Sequence, residues 1–191
     1  MIEASVLVPI RVIACCLMPN HFHLVLQPHG DGDLSQWMHW LMTTHVRRYL
    51  RHYHDSSQVW QSRFKPFKAQ DDEHLVAVVR YVERNPSRAR LAVRAESWPW
   101  SSLGGKSHGL NIVSQPLRHC ADWLEFVNTP MIDGEIEALH ISVIRDRPFG
   151  SEAWTAQTAQ RLSLMYMLRR RGRSSFNNSA NQLFFPNPGI I

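Results

Sequence analysis

Residues 12–27 read VIACCLMPNHFHLVLQ. Two apolar, partly β-branched runs flank Met18-Pro19-Asn20, and Pro-Asn between such runs marks a tight turn. The stretch predicts a hairpin, one strand over 12–17 and its return over 21–27. Residues i and i+2 of a strand project from the same face. His21 and His23 therefore converge on one point, while Phe22 turns to the other face. Two neutral imidazoles are a start towards a divalent-metal site, and a third ligand must come from elsewhere. With 11 histidines in the chain, the spacing alone favours an ordinary histidine pair.

Working outward, residues 28–33 hold Pro, two Gly and two Asp and end the strand. The apolar period then changes. Leu34, Trp37, Met38, Leu41, Met42, His45, Val46, Tyr49 and Leu50 recur at helical spacing, with Arg47, Arg48 and Arg51 opposite them, so 34–53 predicts an amphipathic helix. Residues 59–69 (VWQSRFKPFKA) alternate aromatic and basic side chains and read as a strand, which Pro66 pushes towards an edge or bulge. Asp71-Asp72-Glu73 suits a helix N-terminus. The helix continues through Leu75, Val78, Val79 and Val82, and Pro86 stops it or begins a turn.

On that helix Tyr81 and Asn85 are four apart and share a face. They would present a phenol oxygen beside an amide oxygen, the latter a candidate third metal ligand. A phenol of pKa about 10 is a weak nucleophile at neutral pH, a deficit that a metal polarising a target phosphate would offset. From the residues alone, a half-buried core aromatic and a helix-terminal Asn before proline are the alternative, and the better supported one. Residues 104–116 are loop-like, and 117–173 are mainly helical, broken at Pro148 and Gly150. The Ser/Asn/Pro-rich tail after Arg173 is expected to be mobile.

Composition narrows the class. A length of 191 residues suggests one domain, with or without a small appendage, and 44% hydrophobic residues exclude a disordered chain. Net charge of +5 favours a polyanionic partner, most simply nucleic acid. Cys15, Cys16 and Cys120 form neither a disulfide framework nor a zinc ribbon, and a reducing cytoplasm is the expected location. No run reaches transmembrane length and no signal-peptide pattern opens the chain, so no membrane role is expected.

Four motifs occur in order: LMPNHFHL at 17–24, VWQSRF at 59–64, YVERNPSRA at 81–89 and WPWSS at 98–102. With them the chain resembles the REP-associated tyrosine transposases, relatives of the HUH single-strand transposases of insertion sequences. The resemblance covers about 9–105, and more weakly 145–150 and 169–173. It implies an α+β, ferredoxin-like antiparallel sheet with helices on one face. It makes His21 and His23 the metal-binding pair and Tyr81 the nucleophile. The implied reaction is DNA transposition: attack on a phosphodiester, leaving a 5′-phosphotyrosine and a free 3′-hydroxyl that can reverse the step on another end. The implied cofactor is a divalent metal, Mg or Mn, with no nucleotide cofactor. Asn85 as third metal ligand is a geometric inference, supported by a comparably placed polar residue in related enzymes.

The implied partner is single-stranded or hairpin DNA, such as repeated extragenic palindromes, bound by a monomer or a homodimer. Arg63, Lys65 and Lys68 are candidates to track phosphates, and Arg88 and Arg90 to hold DNA near Tyr81. Trp60, Phe64 and Phe67 are stacking candidates, Trp60 reading better as core. Trp98 and Trp100 read as packing residues.

Family members usually carry a first strand and helix upstream, where this chain has only Met1 to Val8. The expected organisation is an N-terminally truncated catalytic domain over 1–105, a C-terminal helical region over 117–173 with an Arg cluster (Arg161, Arg169, Arg170, Arg171, Arg173) as candidate DNA contacts, and the tail 174–191. Loss of that strand would leave an open edge beside the one carrying the histidines, unless residues 3–8 fill it. Cys15 also stands where the family more often has an aromatic. The rival reading is a truncated, catalytically inactive hairpin-DNA-binding protein. An unrelated metal hydrolase lacks support, because no His-Glu-x-x-His motif is present.

Overall fold

The structure is a computed structural model that describes residues 1–54, 56, 58–61, 63–105, 110, 112 and 122–168. The expected tail 174–191, the arginines at 169–173, Cys120 and most of the 104–116 loop lie outside the described residues. The class is α+β: an antiparallel hairpin with helices. Strands β1 (Ile10–Leu17) and β2 (Phe22–Pro28) pair in register, Leu17 opposite Phe22 and Cys16 opposite His23. The Met18 N–H donates to the His21 carbonyl at 2.9 Å, closing a two-residue turn over Pro19 and Asn20. His21 is thus the closing residue of the turn, one position before β2.

The register slips by one between Val12 and Ala14. An extra residue reverses the alternation of side chains between faces. Before the slip, Ile10 and Val12 point to one core cluster; after it, Cys15 does, while Ala14 and Cys16 join Ile13 in the other. Helices consequently line both faces of the hairpin rather than the single face expected. Helix α1 (Ile2–Leu7) and α2 (Asp33–Tyr53) cover one face, burying Ala4, Trp37 and Met38 against Ile10, Val12 and Leu24. Helix α3 (Glu73–Arg88) covers the other with Leu75, Val78, Val79 and Val82 against Ile13, Ala14, Cys16 and Val25.

Residues 3–8 do not act as a replacement strand. Most of them are helical, because α1 is held to α2 by Ala4 burial, by Trp37 Nε1 donating to Ser5 Oγ at 3.1 Å and by an Arg48–Glu3 ion pair at 2.7 Å. Among the described residues no strand pairs with the far edge of β2. The other edge of β1 is covered by 98–102. The Leu17 N–H donates to the Trp100 carbonyl at 2.8 Å and the Ser102 N–H to the Cys15 carbonyl at 2.7 Å. Trp98 Nε1 caps the Leu17 carbonyl at 2.8 Å, which gives this tryptophan the packing role expected of it.

Two further sequence expectations need correction. Residues 59–69 do not form a ladder strand; they run irregularly, with an isolated parallel bridge from Ala69 to Phe149. Proline at 66 removes a backbone donor, and Phe64 and Phe67 pack separately onto the two cores instead of sharing one face. Pro86 does not end α3, which runs two residues further to Arg88. In the last turn the ring forfeits only the bond from its own nitrogen, and the Ala89 N–H still reaches the Asn85 carbonyl at 2.9 Å.

Beyond the hairpin region lie α4 (Trp123–Asn128), α5 (Asp133–Arg145) and α6 (Glu152–Arg161), with the expected break at Pro148 and Gly150 between α5 and α6. Trp123, Val127, Leu139 and Val143 enter the same buried cluster as α3. Fully buried Glu83 ties these parts together, accepting from Ser102 Oγ at 2.8 Å and from Trp123 Nε1 at 2.9 Å. No helix among the described residues is long and apolar enough to cross a membrane.

Candidate active site

The hairpin turn delivers His21 and the second residue of β2 is His23, so that their Nε2 atoms stand 3.1 Å apart with the rings at 89°. His21 Nδ1 is 2.7 Å from Asn20 Oδ1. An amide oxygen only accepts, so His21 carries its proton on Nδ1 and turns the Nε2 lone pair towards His23. His23 Nε2 lies 2.8 Å from the Asn85 side-chain amide of α3, and its buried Nδ1 has no partner. Burial, with lesser contributions from His21 and Arg88, pushes the His23 pKa down to about 3. Burial and then Arg88 lower that of His21. Both rings are therefore neutral at neutral pH, the state that binds metal.

At that distance the two Nε2 atoms either share a proton in a hydrogen bond or bracket a cation. A separation of 3.1 Å is close to the roughly 3 Å expected of two neighbouring ligands of an octahedral cation at bond lengths of about 2.1 Å. The structure sets the Asn85 amide nitrogen against His23 Nε2; turned with its oxygen inward, the same side chain would add a third donor. The donor set thus fits a divalent cation, with His21, His23 and Asn85 as the residues that would hold it.

Tyr81, one turn before Asn85 on α3, stands edge-on to His23, ring centroids 6.0 Å apart. Its phenol oxygen is 3.1 Å from Arg88 Nη2 and 3.1 Å from Nε2 of His140 on α5. Burial raises the Tyr81 pKa, against the opposing influence of Arg88 and of hydrogen bonds from Asn85 and Arg88. The structure thus gathers His21, His23, Asn85, Tyr81 and Arg88. Arg88, expected to hold DNA, rests with its guanidinium carbon 5.1 Å from the Tyr81 ring centroid.

The remaining basic candidates are not brought there. Lys65 lies near Asp146 and Lys68 is tied by its backbone carbonyl to the Phe149 N–H, at 2.7 Å. Arg63 and Arg90 are exposed. Trp60 is half-buried against Phe22, centroids 5.4 Å apart, and His45, 4.9 Å apart, which supports its reading as core. The sequence missed His140, which no motif flagged, and the roles of Asn20 and Glu83, both of which sit inside quoted motifs.

The comparisons with known proteins bear on the same segment. Residues 5–85 match the family of IS200-like transposases. The IS200-like segment contains the histidine pair, Tyr81 and Asn85, and stops before Arg88 and His140. Over 105 residues the chain is 28% identical to a Haemophilus influenzae (strain Rd) protein described provisionally as a REP-associated tyrosine transposase, which covers 50% of this chain and 60% of the relative. The chain therefore spans less than two thirds of the length of that relative. No solved structure matches.

Proposed function

We propose that this protein is a metal-dependent transposase-type nuclease, which nicks and rejoins single-stranded or hairpin DNA through a 5′-phosphotyrosine at Tyr81. The observation that carries the reading is the convergence of the His21 and His23 Nε2 atoms, 3.1 Å apart, beside Tyr81 and Asn85 of α3. The likeness of residues 5–85 to IS200-like transposases supports a transposase; the phosphotyrosine chemistry is the reading of the site. His21, His23 and Asn85 would hold magnesium or manganese, which would supply positive charge to polarise the scissile phosphate.

The chain's own residues do the rest. The Tyr81 oxygen attacks phosphorus, the bond to the 3′ oxygen breaks, and a 5′-phosphotyrosine and a 3′-hydroxyl remain. Reversal on another 3′-hydroxyl joins the strands, so the bond energy is conserved and no nucleotide cofactor is required. Arg88 holds a positive charge on the attacking oxygen and lies close enough to meet a phosphate there. Arg63, Lys65, Lys68 and Arg90 are candidate contacts to more distant phosphates.

Purified protein with Mn²⁺ and a hairpin bearing a single-stranded flank should cut the DNA, and Tyr81→Phe should abolish cutting. Equal cutting by Tyr81→Phe would exclude the proposed nucleophile. Salt-sensitive binding without cutting under any divalent metal would replace the enzyme with a hairpin-binding protein.

A further inference from the structure

His140 stands outside the IS200-like segment, 59 residues beyond Tyr81, yet its Nε2 is 3.1 Å from the phenol oxygen. The two rings meet at 87° with centroids 5.9 Å apart, so the imidazole nitrogen is aimed edge-on at the hydroxyl. Leu139 beside it on α5 is buried in the core shared with α3, as is Val143 one turn later, which fixes the helix and the direction of His140. The other groups at the phenol oxygen do not take its proton. Arg88 is a donor only, and the Asn85 amide is not a base. The Nε2 atoms of His21 and His23 are turned to each other.

Resting on Tyr81 as the nucleophile, we infer that His140 is the general base that removes the phenol proton during strand cleavage and returns it during rejoining. The C-terminal helices then contribute a catalytic group to the site. As the Tyr81 oxygen bonds to phosphorus and the bond to the 3′ oxygen breaks, the phenol proton moves to His140 Nε2. The departing 3′ oxygen takes a proton from water. In rejoining, the 3′-hydroxyl gives its proton to water and attacks phosphorus. The Tyr81–phosphorus bond breaks, and protonated His140 returns the proton to the phenol oxygen. General base catalysis of this kind contributes about a hundred- to ten-thousandfold.

The surroundings suit the role. His140 is half-exposed, and burial, with the charge of Arg88, lowers its pKa from the ordinary 6.5. It is unprotonated at neutral pH and able to accept. The groups that face it from α3 are Tyr81 and Arg88, and on α5 itself Glu137 lies one turn earlier.

Two measurements test the role. In the full chain without metal or DNA, ¹⁵N spectra of the His140 ring should show the Nδ1–H tautomer with Nε2 accepting, and Tyr81→Phe should shift the Nε2 resonance. An Nε2–H tautomer would overturn the assignment. With Mn²⁺ and single-stranded DNA, the rate of covalent capture by the wild-type protein should rise with pH through the His140 titration and then level. His140→Ala and His140→Gln should lower the plateau about a hundredfold or more and lose that titration. His140→Gln keeps a polar group in place should the alanine variant fail to fold. Wild-type rates and pH profile in both variants would overturn the role while leaving Tyr81 as nucleophile. Absence of capture by the wild-type protein would instead overturn the proposed function, and this role with it.

Discussion

The two ends of α3 each gather side chains of metal-ligand type, and they differ in what surrounds them. At the N-terminal end Asp72, Glu73 and His74 bring their ligand atoms within 4.8 Å of one another. Those atoms already serve a helix cap: Asp72 Oδ1 accepts from the His74 N–H at 2.9 Å and lies 2.8 Å from His74 Nδ1, with Glu73 in solvent. At the C-terminal end His23 and Asn85 are buried, two imidazole Nε2 atoms face each other 3.1 Å apart, and His23 Nδ1 has no partner. The lesson is that ligand-type residues mark a site where burial leaves their polar atoms unsatisfied, and mark ordinary capping where solvent and the backbone satisfy them.

The largest expected effect separates the ends by activity. Tyr81→Phe should lower covalent DNA capture at least about a thousandfold, whereas Asp72→Ala and His74→Ala should leave the rate unchanged. Metal binding separates them next. Titration of Mn²⁺ followed by electron paramagnetic resonance should show binding lost in His23→Ala, weakened about tenfold or more in Asn85→Ala, and unaltered in His74→Ala. Loss of binding in His74→Ala with retention in His23→Ala would invert the comparison.

Stability supplies the third contrast. Glu83→Ala removes the buried acceptor of Trp123 Nε1 and Ser102 Oγ and should cost about 2–4 kcal/mol in urea unfolding, more than Asp72→Ala at the half-buried cap. The smallest effect is one of pH. His23 has a folded-state pKa of about 3 against an ordinary 6.5. Between those values the unfolded chain binds more protons, so the His23 contribution is full above pH 6.5 and is lost as pH falls towards 3. In metal-free protein the urea midpoint should fall across that window, less steeply in His23→Gln.

Much of this site was legible because its signals are local. Pro19-Asn20 between apolar runs specifies the turn, and the i, i+2 spacing nearly suffices to aim both histidines, although His21 sits in the turn and not in the strand. The i, i+4 spacing likewise places Tyr81 and Asn85 on one helix face. What stayed hidden depends on distance in sequence. His140 meets Tyr81 only because α5 packs on α3, and no spacing rule links residues so far apart. The slip between Val12 and Ala14 leaves a run of apolar residues looking uniform, so it conceals that neighbouring residues serve opposite cores. The alternation in 59–69 misled because Phe64 and Phe67 are anchors for two different clusters, with Pro66 between them, rather than one face of a strand.

The central claim is that α3 presents a nucleophile to a phosphate beside the histidine pair. Its most direct test is mass spectrometry of proteolysed protein after incubation with Mn²⁺ and single-stranded or hairpin DNA of known sequence. The peptide containing Tyr81 should carry the mass of a 5′-phosphorylated DNA fragment, and fragmentation should place it on that phenol. DNA cut without any adduct, or an adduct on Tyr49, Tyr53 or Tyr166 in its place, would contradict the account.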